Sequence, residues 1–248
     1  MRNQTLKVLS ILTNHTVRHL LMGGQACVLY GAVQFSRDAD IAILATGENL
    51  DSLHKALADL QAEVIAIPPL ELRYLEMGLA VHFRCRRPEL DGLRIDVMSV
   101  MRGVDPFPQL WERRTTLELA DGTIEVLSIA DLVKAKKTQR DKDWPMIAAL
   151  VESHYREFKA NATAESIEFW LAESRIPESL IEVAASYSDK AKTSIAQRPL
   201  IQHAIAGDHS SIRKALVDEQ QRQQEEDRQY WKPLVAELER LRHNRTRK

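Results

Sequence analysis

Residues 19–24 read His-Leu-Leu-Met-Gly-Gly, and residues 38–45 read Asp-Ala-Asp-Ile-Ala-Ile-Leu-Ala. The first is a short apolar run that stops at two glycines. It reads as a buried strand broken at Gly23-Gly24, and Gln25 to Tyr30 then has room for a short helix. The second run opens on two aspartates and continues apolar, as a second strand over residues 39–45. Residues two apart in a strand point to the same side, so Asp38 and Asp40 face one spot, about 5–7 Å apart. Two carboxylates that close repel unless a cation sits between them. Magnesium accepts few carboxylates and completes its octahedron with waters and phosphate oxygens. Glycines let the backbone approach a ligand closely, and N–H groups at a helix start suit phosphate. Gly23 and Gly24 are therefore candidate triphosphate-binding residues.

The elements outside this pair follow from periodicity. Leu6, Leu9 and Leu12 predict a helix over about 4–14, and Leu50, Leu53, Leu57 and Leu60 one over 49–60. Residues 64–67 are strand-like. Residues 80–85 and 93–98 read as paired strands about Asp91-Gly92, a hairpin turn signal, and 115–119 and 123–127 pair likewise about Asp121-Gly122. In the 93–98 strand, Leu93, Ile95 and Val97 form one face and Arg94, Asp96 and Met98 the other. An Asp inside an apolar strand is costly to bury without a partner, and a metal shared with Asp38 and Asp40 would be one. Read singly, these features are a turn, a solvent-facing strand start and an edge-strand Asp. Read jointly, three carboxylates beside a phosphate-binding turn are what two-metal phosphoryl or nucleotidyl transfer requires.

After Ser128, a plausible N-cap with Asp131 in the first turn, only helices are legible. The predicted fold is therefore α/β (α+β): a core of small mixed sheet flanked by helices over 1–128, then an all-helical domain over 129–248. Residues 219–229 (Glu-Gln-Gln-Arg-Gln-Gln-Glu-Glu-Asp-Arg-Gln) lack any apolar side chain and read as a solvated helix. Residues 240–248 are a basic tail, read as frayed or as a contact for nucleic-acid phosphates. His15 and His19 stand four apart without the Glu of a zinc-protease helix, so the pair reads as coincidence. The four tryptophans read as packing residues.

At this point the residues resemble a family. Residues 21–31 (Leu-Met-Gly-Gly-Gln-Ala-Cys-Val-Leu-Tyr-Gly) followed by 34–41 (Gln-Phe-Ser-Arg-Asp-Ala-Asp-Ile) are similar to the signature of the minimal nucleotidyltransferases and AbiEii-like toxins of the polymerase-beta fold. Phe35, Ser36, Asp38 and Asp40 match, and Asp96 matches the family's later-strand Asp. Gln34 stands where Arg is usual, and Gln25 where Ser or Thr is frequent. Residues 132–144 (Leu-Val-Lys-Ala-Lys-Lys-Thr-Gln-Arg-Asp-Lys-Asp-Trp) resemble the family's post-core helix, and the likeness covers roughly residues 18–147.

The resemblance implies a magnesium-dependent nucleotidyltransferase. Asp38 and Asp40 would bind both ions, and Asp96 would complete the site and help deprotonate the acceptor. Gly23, Gly24, Ser36 and Lys136 would contact the nucleoside triphosphate, ATP or another. Lys136 and Arg140, four apart, would share a helix face, although such basic runs are also ordinary solvated helices. Acceptors in the family include RNA, proteins and small molecules, and a toxin member would have a cognate antitoxin. The other reading keeps the fold as a nucleotide-sensing or protein-interaction module with little catalysis, which Gln25 and Gln34 favour.

Composition sets the limits. The chain has 248 residues, ample for a core, with 34 Lys+Arg against 35 Asp+Glu and a formal net charge of -1. A bulk basic field for nucleic acid is thereby excluded, and any such contact must be local. Two cysteines exclude a disulfide framework and fit a reducing compartment. No run approaches the ~20 apolar residues of a membrane span, and no apolar leader opens the chain. The expectation is a cytoplasmic protein without a membrane partner.

Overall fold

The two apolar runs lie side by side at the centre of one sheet. The computed structural model describes residues 3–32, 37–119 and 122–246. Among them, seven strands form a mixed sheet: β1 (His19–Met22), β2 (Ala39–Ile43), β3 (Ala62–Val64), β4 (Val81–Cys85), β5 (Arg94–Met98), β6 (Thr115–Leu119) and β7 (Gly122–Val126). Their order is β3-β4-β5-β2-β1-β7-β6. β2 runs antiparallel to β1 and parallel to β5, and β1 runs parallel to β7. The pairs β3–β4, β4–β5 and β6–β7 are antiparallel. The α/β class with a helical C-terminal region is thus the class the sequence predicts.

Position in the sheet explains the sequence patterns. β1 is central and covered on both faces, so all four of its residues are buried and its sequence does not alternate. β2 is likewise buried except at Asp40. β5 alternates: Ile95 and Val97 are buried, whereas Arg94, Asp96 and Met98 are half-buried on the other face. Asn49, in the helix Gly47–Asp59, is buried yet satisfied. Its side chain accepts from the Arg18 amide at 2.7 Å and donates to the carbonyls of Leu44 at 2.8 Å and Arg18 at 3.1 Å.

The helix Ile129–Lys136 starts as its sequence predicts. The Asp131 amide donates to Ser128 Oγ at 3.2 Å, and that hydroxyl donates to Asp131 Oδ2 at 2.8 Å. Arg113 binds both Asp131 oxygens, at 3.1 and 3.0 Å. Burial raises the Asp131 carboxyl, but Arg113 and Ser128 outweigh it and hold it below its ordinary range.

The described residues divide into two compact units, one within 1–29, 33–135 and 229–248 and the other within 30–32 and 136–228. The sequence boundary at 128/129 differs from this division at both ends. Leu132 and Val133 are fully buried and, with Asp131, bind this helix to the sheet unit. At the far end, Tyr74, Leu79 and Leu234 form a core cluster against which Tyr230, Trp231, Leu238 and Leu241 pack. Those contacts return the end of the helix His209–Thr246 to the sheet unit. Gly78 marks how close the approach is: at φ +91, a Cβ there would lie 2.6 Å from Tyr230 Oη.

The second unit is helical: Asp143–Phe158, Ala164–Glu173, Pro177–Ser186, Ser188–Ser194, Ile201–Ile205 and the first part of His209–Thr246. Trp144 and Trp170 are buried as packing residues, and Trp170 Nε1 donates to His154 Nδ1 at 2.9 Å. The polar stretch 219–229 is not wholly solvated. Gln224 and Asp227 are buried, and Asp227 accepts from the Gln139 amide at 2.8 Å while Gln224 donates to Asp141 at 2.8 Å. These hydrogen bonds remove the cost of burying polar groups, which apolar counting cannot foresee. Residues 240–246 of the basic tail continue that helix, and residues 247–248 lie outside the described residues. Two helices, Leu72–Glu76 and Phe107–Glu112, form where the sequence has no clear period. No described helix is long and apolar enough to cross a membrane.

Candidate active site

Register brings two of the three aspartates together. In the parallel β2–β5 pair, Asp40 lies opposite Asp96, so the two side chains leave the same face of adjacent strands. In the antiparallel β1–β2 pair, Asp40 also lies opposite Met22, directly before Gly23. Gly23 turns the chain out of β1 at φ +64, where side chains are rarely tolerated. A Cβ at Gly23 would fall 1.9 Å from Asp40 Oδ2 and 2.4 Å from its Cγ. Only glycine allows the carboxylate this close to the backbone. The Gly24 amide points at Asp40 Oδ2 over a long 3.4 Å.

Asp96 carries a network that sequence reading misses. His82 of β4 lies opposite it across the antiparallel β4–β5 pair. His82 Nδ1 stands 2.8 Å and Arg94 Nε 2.7 Å from Asp96 Oδ1. Arg94 Nη2 also lies 3.0 Å from His82 Nδ1. One nitrogen cannot both donate to Asp96 and accept from Arg94. An ionised Asp96 decides the matter: His82 Nδ1 carries the proton and donates to the carboxylate. Burial raises the Asp96 carboxyl, but hydrogen bonds from His82 and Arg94 outweigh it and keep it below its ordinary range. Arg94 is pushed upward, first by its bond to Asp96 and then, against burial, by the charges of Asp96, Asp38 and Asp40. Its guanidinium therefore lies in the combined field of all three carboxylates.

Asp38 lies just before β2, in a bend. The alternation that would align it with Asp40 begins only at Ala39. Among the described residues, no group of three or more His, Cys, Asp or Glu side chains is placed to hold a metal. The donor chemistry nonetheless fits magnesium, a hard cation that takes one or two carboxylates and leaves its other positions to waters and phosphate oxygens. Asp96 Oδ2 makes no hydrogen bond among the described residues, so it can face a cation while Oδ1 holds Arg94. Ser36, like Gln34 and Phe35, lies outside the described residues.

Lys136 stands in the second unit, inside a different cluster. The helix Ile129–Lys136 ends at it, so Lys136 and Arg140 do not share a helix face. The chain turns instead, and both converge on Asp143. Lys136 Nζ reaches Asp143 Oδ1 at 3.3 Å, while Thr138 Oγ1 and Arg140 Nε donate to Oδ2 at 2.6 and 2.8 Å. Lys136 and Asp143 are both buried. Burial raises the Asp143 carboxyl, and Lys136, Thr138 and Arg140 overcome it and hold the group ionised.

His19 Nδ1 donates to the Val17 carbonyl at 2.8 Å from a buried position, and His15 pairs with Asp59 at 3.2 Å. The two histidines are thus engaged separately, as coincidental spacing implies. Arg94 had a usable signal, since it precedes Asp96 by two on the same face of one strand. His82 had none: a tight turn at Asp91-Gly92 would set Arg87 opposite Asp96, but the connection contains the 3-10 turn Pro88–Leu90 and the register sets His82 there instead.

No family model matches the chain, and no curated protein matches it in sequence. Among solved structures it is similar to an antigenic nucleotidyltransferase-like protein from Paracoccidioides brasiliensis, at 14% identity and a TM-score of 0.41, covering 82% of this chain and 92% of that one. A second is from H. pylori, a protein whose nucleotidyltransferase activity is inferred, at 15% identity and a TM-score of 0.40, covering 88% and 98%. Likenesses of that size leave the chemistry to be read from the site itself.

Proposed function

We propose that this chain is a magnesium-dependent nucleotidyltransferase that moves a nucleoside monophosphate from a triphosphate to an acceptor hydroxyl. The observation that supports it is Asp40 beside Asp96 on parallel neighbouring strands, with Gly23 drawn against Asp40 at the end of β1. Asp40 and Asp96 would hold magnesium through carboxylate oxygens, and Asp38 would add a third from the segment before β2. The metal, when bound, would offset phosphate charge and clamp the attacking and leaving oxygens. Gly23 and Gly24 would let the triphosphate approach the backbone, and Ser36 would be a further contact to it.

Asp96 is held ionised, which makes it a good ligand and a weak base. Its role is then to hold charge and to orient the acceptor hydroxyl at Oδ2, more than to store the proton. Arg94 moderates the repulsion between three carboxylates and an incoming triphosphate. His82 fixes the carboxylate from the neighbouring strand. RNA, protein and small-molecule hydroxyls all remain acceptor classes, and a toxin role would bring a cognate antitoxin. The setting proposed for this reaction is cytoplasmic.

The grip of Arg94 on Asp96 favours one other reading, a module that binds triphosphate without turning it over. Incubation with each α-labelled triphosphate, total RNA and cell lysate separates the two. Magnesium-dependent transfer of label supports the enzyme. Triphosphate binding without transfer to any acceptor supports the module, and absence of both overturns the assignment.

A further inference from the structure

The helical unit contains a cavity of about 520 Å³ lined by Arg175, Arg198, Glu219, Lys137, Lys190 and Arg222, among others. That volume is in the range of small-ligand sites. Its deepest charges do not balance. The side chains of Arg175 and Arg198 are 9% and 7% exposed, and both turn to one carboxylate, Glu219.

Arg198 has four of its five N–H donors engaged. It binds both Glu219 oxygens at 3.1 and 2.9 Å, and it donates to the carbonyls of Leu171 and Ser174, at 2.9 Å each. These bonds cap the helix Ala164–Glu173 and explain why a charge is buried there. Arg175 is not saturated. It donates to Glu219 at 3.2 Å and to the Leu216 carbonyl at 2.7 Å. A guanidinium has five N–H donors, so the remainder have no partner among the described residues.

Its position is fixed, because the guanidinium stacks 4.6 Å above the Trp144 ring. Burial lowers the Arg175 pKa and the neighbouring Arg198 charge presses the same way, against Glu219 and, more weakly, Glu173. At the rim, Lys190 is paired with Glu168 and Lys137 with Glu173. Arg222 is two-thirds exposed and reaches Glu226 only at 3.9 Å.

We propose that this cavity binds a small phosphate monoester, with Arg175 as its anchor and Arg222 and Lys190 as rim contacts. A preorganised guanidinium fork with spare donors matches a phosphate's geometry, and the buried excess of one positive charge is what a phosphate offsets. The cavity has room for more than the phosphate alone, so the group arrives on a sugar or nucleoside.

Calorimetry on the full chain without magnesium tests the site, with inorganic phosphate, ribose 5-phosphate and adenosine monophosphate as probes. The wild type is expected to bind at least one ester. Arg175→Gln should weaken it by about tenfold or more, the scale of a charge-assisted hydrogen bond. Arg222→Ala should weaken it a few-fold, and Asp40→Asn should leave it unchanged. Phosphate as good as the esters would mean that only the anion is read, and would overturn the ester assignment. No binding by any probe, or unchanged affinity in Arg175→Gln, overturns the site. If Arg175→Gln does not fold, the Lys190→Ala/Arg222→Ala double variant must lose affinity or the site is overturned. Binding of a short RNA through Arg175, without binding of any monoester, would replace the small ligand by nucleic acid.

Discussion

Asp96 and Asp143 are two aspartates, each held by an arginine and a further cationic or ring-nitrogen partner, with opposite fates. Asp143 is 1% exposed and both its oxygens are engaged, by Lys136 on one side and Thr138 and Arg140 on the other. Asp96 is 13% exposed at the side chain and only Oδ1 is engaged. A buried carboxylate with both oxygens engaged is a structural fastener. One with a free oxygen, facing Asp40 across a strand pair, keeps its capacity to bind something else. Charge and spacing do not separate these cases. The count of occupied oxygens does.

The largest effect that sharpens this contrast is on stability. Asp143→Ala leaves Lys136 buried without its counter-charge, so about 3–5 kcal/mol should be lost in denaturant unfolding. Asp96→Asn keeps the shape and leaves partly exposed partners, so it should cost about 1 kcal/mol or less. Equal losses would break the distinction. Lys136→Met belongs with the first class: lower stability is expected, with triphosphate affinity intact. A loss of affinity in a stable Lys136→Met protein would return Lys136 to the nucleotide.

Gly23→Ala comes next. Its backbone at φ +64 costs a β-carbon about 1–2 kcal/mol, and Asp40 must also move away from the new methyl. Stability and triphosphate affinity should both fall, read by melting and by calorimetry on one sample. An Ala variant with unchanged affinity would mean that the approach of Gly23 to Asp40 serves the fold alone.

The smallest effect concerns pH. Burial depresses the pKa of His19, against its bond to Val17 and the charge of Glu125, and burial likewise depresses His154. Below their ordinary value of about 6.5 the unfolded chain takes up these protons first. Stability should therefore fall as pH drops through that value toward the depressed folded pKa values. His19→Gln should flatten part of the slope, and an identical slope would show that His19 contributes nothing to it.

Much of this was legible in residue order. The runs at 19–24 and 38–45 became the central strands because a strand buried on both faces must be apolar throughout, and nothing in the middle of a sheet competes with that signal. Asp96 was legible as an Asp on the polar face of an alternating strand. Its neighbour Arg94 was legible on the same face of the same strand, but His82 was not, because a hydrogen bond across strands depends on register, and register comes from pairing. Lys136 misled for a related reason. Its spacing from Arg140 implies one helix face, but Asp143 closes the turn that follows and draws both side chains to itself. The compact units differ from a division at 128/129 because Tyr230, Trp231 and Leu234 contact Tyr74 and Leu79 from far along the chain.

The most direct test of a metal–nucleotide site at Asp40 and Asp96 is calorimetric titration of a nucleoside triphosphate into the wild type and Asp96→Asn, each with and without magnesium. Crowded carboxylates repel a bare triphosphate, so the wild type should bind far more tightly with magnesium. Asp96→Asn should lose most of that magnesium-dependent gain. Equal wild-type affinity with and without magnesium, or an Asn variant that keeps the full gain, would contradict the assignment.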